Sequence, residues 1–413
     1  MDRTVMWYNS CMRIDLPDNV KRIIDTLQQA GHEAYAVGGC VRDSLLQRDP
    51  EDWDITTSAK PSQVKKLFRR TVDTGIEHGT VTVMFGREGY EVTTYRLDGV
   101  YEDGRHPKNV TFTTSLEEDL KRRDFTINAM AYNDGTGIVD LFHGMDDMAG
   151  KTIRAVGDPK ERFSEDALRM LRALRFSAQL DYVIEPETER AITELRNNLE
   201  KISAERIRTE IQKLLLSDHP DRIRGMHDLG ISSIVLQEYD ELDEASGDEI
   251  GHSLCRADKA VDVRLSILLL PMKNARGILK RLKYDNETIR RVMILTEHAD
   301  EETELSKPAI RHSIVAVGND LMPSLFALKR ALRHQPDAYI DTYEKLYREI
   351  LADNDCISLK DLAVTGTDLM NELNMKQGKE LGSALQYLFS LVLDDPSLNE
   401  HAKLIELLKT QES

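Results

Sequence analysis

The stretch YAVGGCVRDSLLQRDPEDWDITTS, Tyr35 to Ser58, restricts the fold of this chain more than any other. Residues 34–37 (AYAV) read as a short buried strand. Gly38 and Gly39 interrupt it, Val41 to Gln47 read as a helix start, and Trp53–Thr57 (WDITT) is rich in strand-forming types. A strand, a glycine pair and a helix start bring backbone N–H groups close to a phosphate, and Arg42 adds a cation one turn into the helix. An ordinary tight turn has the same pattern, so the glycines alone do not decide the chemistry.

Asp52 and Asp54 follow at once, separated by Trp53. In a strand, residues i and i+2 point to one side, so the two carboxylates project together while Trp53 packs on the opposite face. Two close carboxylates repel unless a cation sits between them. Oxygen ligands suit Mg²⁺, which takes one or two carboxylates together with substrate phosphates. Glu91, in YEVTTYR, can supply a third acid from a neighbouring strand. Asp-x-Asp is common on solvated loops of acidic chains. Only its conjunction with the glycine pair gives the layout of phosphoryl or nucleotidyl transfer, in which two metals hold the attacking and leaving oxygens.

The remaining pattern is asymmetric. PSQVKKLF from Pro61 reads as a helix with proline in its first turn. GTVTVMFGREGYEVTTYR reads as a hairpin joined by Gly86-Arg87-Glu88-Gly89. Strand signals stop after about Lys151, and helical periodicity takes over. The acidic stretches 237–253 and 297–309 read as surface loops or domain joints. The expectation is an α+β head followed by a long all-helical body.

Net charge is −17, which disfavours broad, indiscriminate nucleic-acid binding. The charge divides as −7 over residues 1–150, +1 over 151–215 and −11 over the rest, so an anionic partner should lie across the middle segment. Cys11, Cys40, Cys255 and Cys356 have no metal-ligand spacing and read as free thiols of a reducing compartment. No apolar run approaches the roughly 18–20 residues of a membrane span, and the N-terminal residues lack the apolar segment of a secretory signal. A cytoplasmic location and no membrane partner are expected.

FSEDALRMLRALRF places Asp166, Arg169, Arg172 and Arg175 at intervals of three. On a helix, Ala167, Met170, Leu171, Leu174 and Ala178 gather on one face, with Asp166, Arg169 and Arg172 on the other and Ser164 as N-cap. A solvated face of ion pairs accounts for this pattern. A sharper reading also does. Asp offers only acceptors and Arg only donors. Cytosine and adenine each set an amino donor beside a ring-nitrogen acceptor, whereas guanine and uracil set a carbonyl beside an N–H. An Asp and an Arg one turn apart can pair with C and A and reject G and U, because mispaired buried polar groups are costly.

GGCVRD…DWD, RHPKNVTFTTSLEEDLKRRDFTINAMA, RFSEDALRMLRALRF and ISAERIRTEIQKLL together resemble the ordered motifs of class II tRNA nucleotidyltransferases, the CCA-adding enzymes, of the bacterial type without a phosphohydrolase domain. The match is close over about residues 34–215, and GTDLMNEL…LGSALQYLFSLVLDDPSLN is similar to the family's C-terminal region. The resemblance implies a polymerase-β-type head (13–150), a helical neck with a base-selecting helix (151–222), a helical body (223–309) and a tRNA-binding tail (310–413). It implies that Asp52 and Asp54 bind Mg²⁺, with Glu91 as third acid. Gly38, Gly39 and Arg42 would hold the triphosphate, Arg123 would contact the nucleotide and Asp124 would sit near the ribose. Asp166 and Arg169 would read the base, supported by Arg172 and Arg175. The tRNA 3′ hydroxyl would attack the α-phosphate of CTP twice and of ATP once, releasing pyrophosphate.

Relatives that add only CC lack a loop before RRDF. YRLDGVYEDGRHP (95–107) reads as that loop intact, which favours full CCA addition over CC addition; A-adding and poly(A)-polymerase relatives share much of the motif set, and the net charge of −17 disfavours a processive, sequence-indifferent poly(A) polymerase. His143-Gly144 stands where the family often has two glycines. His227-Asp228 is the dipeptide of metal-dependent phosphohydrolases, but its further ligands cannot be assembled. A non-catalytic RNA-binding module on the same fold would have lost a carboxylate, and Asp52, Asp54 and Glu91 are all present. The sequence leaves open whether the chain forms a homodimer.

Overall fold

The computed structural model describes residues 13–98 and 110–411. It divides into two compact units, Met1–Glu241 and Leu242–Ser413. Within the first, the head begins with α1 (Asp18–Gln29), β1 (Ala34–Val37), α2 (Gly39–Leu45), β2 (Ile55–Thr57) and α3 (Pro61–Leu67). It continues with β3 (Thr71–Gly75), β4 (Thr80–Phe85), β5 (Glu88–Thr94), β6 (Arg96–Asp98), β7 (Val110–Phe112), α4 (Leu116–Lys121), β8 (Met130–Asn133), β9 (Gly137–Asp140) and α5 (Gly144–Ala149).

Seven of these strands form one mixed sheet in the order β3-β4-β5-β2-β1-β8-β9, and β6 pairs with β7 separately. β1 lies antiparallel to β2 and β8, and β2 lies parallel to β5. Alternate-face packing explains the composition. Ala34, Ala36, Ile55, Val81, Val83 and Val92 join a core against Val20, Ile23, Ile24 and Leu27, the i, i+3, i+4, i+7 face of α1. Trp53 packs against this core, as the i, i+2 argument requires. The β4–β5 turn is only Gly86-Arg87, shorter than the four residues read from sequence, because Phe85 pairs with Glu88 and Gly86 takes φ +64°.

After the head come β10 (Thr152–Ile153), α6 (Pro159–Glu165), α7 (Leu168–Leu180), β11 (Val183–Ile184), α8 (Pro186–Leu195) and α9 (Ala204–Leu215). The pair β10–β11 is a small correction to the all-helical expectation after Lys151; two parallel two-residue strands are pinned by Val183 N to Lys151 O and Glu185 N to Ile153 O. The arginine helix is also interrupted. α6 ends at Glu165 and α7 starts at Leu168, so Ser164 lies inside α6 and is no N-cap. Asp158 caps α6 instead, accepting from Lys160 N at 2.8 Å. The short helices α10 (Gly225–Asp228), α11 (Ser232–Val235) and α12 (Gln237–Asp240) close the unit.

The second unit is helical among the described residues: α13 (Glu244–Arg256), α14 (Val261–Leu269), α15 (Ala275–Arg281), α16 (Asn286–His298), α17 (Lys307–Val317), α18 (Met322–Leu332), α19 (Asp337–Ala352), α20 (Gly366–Leu373), α21 (Lys379–Asp394) and α22 (His401–Gln411). α14 is buried on nearly every side, and Leu369, Leu388, Phe389, Val392 and Leu404 build a separate core. Residues 237–253, read as a loop or joint, are largely helical because Asp243 caps α13 by accepting from Ser246 N; the division between units does fall among them. The stretch 297–309 is a loop only between α16 and α17. No described helix is long and apolar enough to cross a membrane.

Candidate active site

Asp52 and Asp54 sit in the extended segment entering β2, just before its first paired residue. Asp54 O accepts Val37 N at 3.0 Å, which fixes this segment to the end of β1. Ile55 pairs with Val92 in the parallel β2–β5 ladder, so Asp54 and Glu91 occupy matching places on adjacent strands. All three carboxylates are exposed. Burial of its surroundings pushes the Asp54 carboxyl above its ordinary pKa, Arg123 opposes this and the charge of Asp52 adds to it. Glu91 is raised likewise, by desolvation and then by Asp54 and Asp52. The sheet therefore gathers three mutually repelling oxygen donors, the ligand chemistry of a hard divalent cation.

The glycine turn lies alongside. Gly38 has φ +83° and precedes α2, and a Cβ on it would lie 2.8 Å from Arg123 Nη1, so a side chain here would displace that guanidinium. Arg42 is not displayed to solvent. It is 8% exposed, donates to Asp43 at 2.9 and 2.8 Å and to Asn128 Oδ1 at 2.6 Å, and lies over the Phe176 ring. Asn128 passes the connection on, donating to Asp124 Oδ1 at 3.1 Å. Asp124 also accepts its neighbour's backbone N–H from Phe125 and takes Arg172 on its second oxygen at 2.7 and 2.6 Å. Burial would raise Asp124, but Arg172, Asn128 and Arg169 outweigh it and hold the carboxyl well below the usual range.

The arginine face is paired and largely buried, with Asp166 and Arg172 half-buried. Arg169 is 8% and Arg175 7% exposed. Arg175 Nε meets Glu210 Oε2 of α9 at 2.6 Å, and its guanidinium stacks on Phe176 at 4.0 Å. The apolar face is as expected, with Ala167, Met170, Leu171, Leu174 and Ala178 all buried. Asp166 stands in the break between α6 and α7. Its Oδ1 accepts Leu168 N at 3.1 Å and Arg206 Nη1 at 3.2 Å, and its Oδ2 accepts Arg206 Nη2 at 2.7 Å. This side-chain cap explains why the helix breaks there. Arg169 donates through Nη1 to Arg162 O and Glu165, and through Nη2 to Arg122 O. Oδ2 of Asp166 thus keeps one lone pair, and Arg169 keeps N–H donors on Nε and Nη2. An acceptor and a donor remain, which is the pair that the base argument requires.

Sequence reasoning missed Asn128, Arg206, Glu210, Glu165 and Asp119 as partners of these groups. The signals were there: Asp124 and Asn128 are four apart in RRDFTIN, and Arg206 and Glu210 are four apart in AERIRTEI. The loop 95–107 lies mostly outside the described residues, and residues 1–12, with Cys11, lie wholly outside them; Cys40, Cys255 and Cys356 form no disulfide. His227 and Asp228 lie 3.9 Å apart with no metal-ligand group around them among the described residues.

Family models match three stretches of the chain: a poly A polymerase head domain over residues 34–154, a "Probable RNA and SrmB- binding site of polymerase A" over 181–242, and a putative tRNA nucleotidyltransferase domain 2 over 256–408. A CCA-adding enzyme of Pediococcus pentosaceus is 37% identical over 94% of this chain and 96% of its own. One of Enterococcus faecalis is 38% identical over 95% of each. The chain belongs to the CCA-adding enzyme family. The crystal structure of the Bacillus stearothermophilus CCA-adding enzyme, in complex with CTP, superposes with a TM-score of 0.80 at 33% identity, covering 95% of this chain and 97% of that one. Membership of the family makes the protein a tRNA nucleotidyltransferase with a polymerase-β-type head followed by helical domains. Its enzymes generally use divalent metals.

Proposed function

We propose that this enzyme adds C, C and A to the 3′ end of tRNA from CTP and ATP without a nucleic-acid template, in the cytoplasm. The observation that carries the reading is the convergence of Asp52, Asp54 and Glu91 beside a glycine turn covered by Arg123. Asp52 and Asp54 would hold Mg²⁺, with Glu91 as third acid; the raised Asp54 and Glu91 carboxyls fit donors that gain from a bound cation. A cation held there would supply charge neutralisation at the α-phosphate, where the tRNA 3′ oxygen forms its new bond and the bond to pyrophosphate breaks.

The chain's own groups do the rest. Gly38 and Gly39 open the backbone to the triphosphate, and Arg123 reaches over it. Arg42 acts from behind, fixing α2 to Asn128 and so to Asp124, which faces the ribose. Asp166 accepts from the amino group of C or A and Arg169 donates to the ring nitrogen, while Arg172 and Arg175 hold the α7 face rigid through Asp124 and Glu210. The four-part division into head (13–150), neck (151–222), body (223–309) and tRNA-gripping tail (310–413) belongs to the same proposal.

The test is nucleotide incorporation on tRNAs ending before CCA, after C and after CC, with each nucleotide alone and with CTP plus ATP. Addition of CCA to the shortest substrate, abolished by Asp52→Ala, is expected. Addition of A only after CC would make this an A-adding enzyme, and arrest at CC would overturn the loop argument. No incorporation at all would leave an RNA-binding module.

A further inference from the structure

α4 ends at Lys121 within the run Asp119-Leu120-Lys121-Arg122-Arg123, and the turn at its end sets Asp119 against both arginines. Asp119 is completely buried, 0% exposed. A carboxylate persists there only if its charge is matched and its lone pairs are filled. Its Oδ1 accepts Arg122 Nε and Nη2 at 3.0 and 2.8 Å, and the Arg96 N–H at 3.4 Å. Its Oδ2 accepts the Thr56 hydroxyl at 3.1 Å and faces Arg123 Nη2 at 3.6 Å.

These partners are not a random sample of the core. Thr56 lies on β2, two residues beyond Asp54. Arg96 opens β6, which lies at the start of the 95–107 segment. Arg123 is the cation whose other nitrogen lies against Gly38 and whose field reaches Asp54. A carboxylate that served only to neutralise Arg122 would be complete with the two bonds on Oδ1. The second oxygen is spent on the metal-side strand and on the arginine over the glycine turn.

We propose that Asp119 is a positioning residue for nucleotide binding: it holds the Arg123 guanidinium over Gly38 and in fixed relation to the strand bearing Asp54. This rests on the reading of Arg123 as a triphosphate ligand. An arginine side chain is long, and its Nε is buried here without a hydrogen-bond partner, so little besides Asp119 fixes its pose. Once the Asp119 charge is removed, Asp54 is the acid of the site that the Arg123 charge already acts on. Arg123 then turns toward that carboxylate and must be drawn away again by each incoming nucleotide. Such a ground-state cost falls on nucleotide affinity.

Asp119→Asn keeps the shape and one acceptor oxygen. It is expected to raise KM for CTP and for ATP alike by about ten-fold, with kcat within about three-fold of wild type. The deciding measurement is a double-mutant cycle with Arg123→Ala, which also raises KM; in that background Asp119→Asn is expected to add nothing. Additive effects of the two changes, or an Asp119→Asn enzyme of unchanged KM beside a defective Arg123→Ala enzyme, would overturn the positioning role while leaving the reading of Arg123 standing. An Arg123→Ala enzyme of unchanged KM would sink both. If Asp119→Asn does not fold, Asp119→Glu keeps the charge, shifts it by one methylene, and is read in the same cycle.

Discussion

The carboxylate edge of the sheet and the break between α6 and α7 are built from the same side-chain types and treat charge in opposite ways. At the edge, Asp52, Asp54 and Glu91 stand exposed, and the pKa values of the last two are pushed up. At the break, Asp166, Asp124 and Glu210 are each clasped by an arginine, and the Asp124 pKa is driven down. The first region leaves like charges facing one another, which a cation would relieve. The second is complete and gains rigidity from being so. The difference shows which groups must wait for a ligand and which must keep their place before it arrives.

Removing an acid from the edge is the strongest way to break the comparison. Asp54→Ala should lower nucleotide incorporation about a thousand-fold or more, with a melting temperature at pH 7 no lower than wild type. Next is the break itself. Arg175→Met leaves buried Glu210 with only the longer Arg172 contact at 4.0 Å, and should cost about 3 kcal/mol in chemical denaturation. Adding Mg²⁺ comes third. At about a hundred times its dissociation constant it should stabilise wild type by about 2.7 kcal/mol and leave Asp52→Asn/Asp54→Asn unmoved in thermal melts.

The smallest effect is in pH. A carboxyl raised in the fold destabilises it above the unfolded pKa, and this penalty disappears as pH falls through the folded value. Asp54→Asn should therefore raise the melting temperature slightly at pH 7, and the gain should vanish by about pH 4. Asp124 has the opposite sign. Its contribution is present above the unfolded pKa and is lost only as pH falls through its depressed value, so the penalty of Asp124→Asn should persist to about pH 4.

Much of this was legible in the chain because it is local. AYAV, the glycine pair, the proline-started α3 and the β4–β5 hairpin follow from neighbours in sequence. Asp52 and Asp54 were legible for the same reason, being two residues apart. What failed was long-range or competitive. The arginine face read equally well as solvated, because only α9 supplies Glu210 and Arg206 to bury and match it. Its unbroken helix failed because helical spacing says nothing of a side chain that caps its own backbone, as Asp166 does. The loop reading of the acidic 237–253 stretch failed because one capping residue, Asp243, outweighs a polar composition, although the division between units does fall within it.

One close approach behind Asp124 bears on the second of these regions. His143 takes φ +61° and tolerates its side chain there, but a Cβ on Gly144 would lie 2.4 Å from Thr126 O. Thr126 begins the short turn that carries Asn128, and Asn128 joins Arg42 to Asp124. In a genetic screen, Gly144 should therefore yield conditional alleles whose heat sensitivity resembles damage at the nucleotide site, whereas His143→Gly should pass as silent. Suppressors of such alleles would be sought first among smaller residues around the 126–128 turn, because room there is what the glycine supplies.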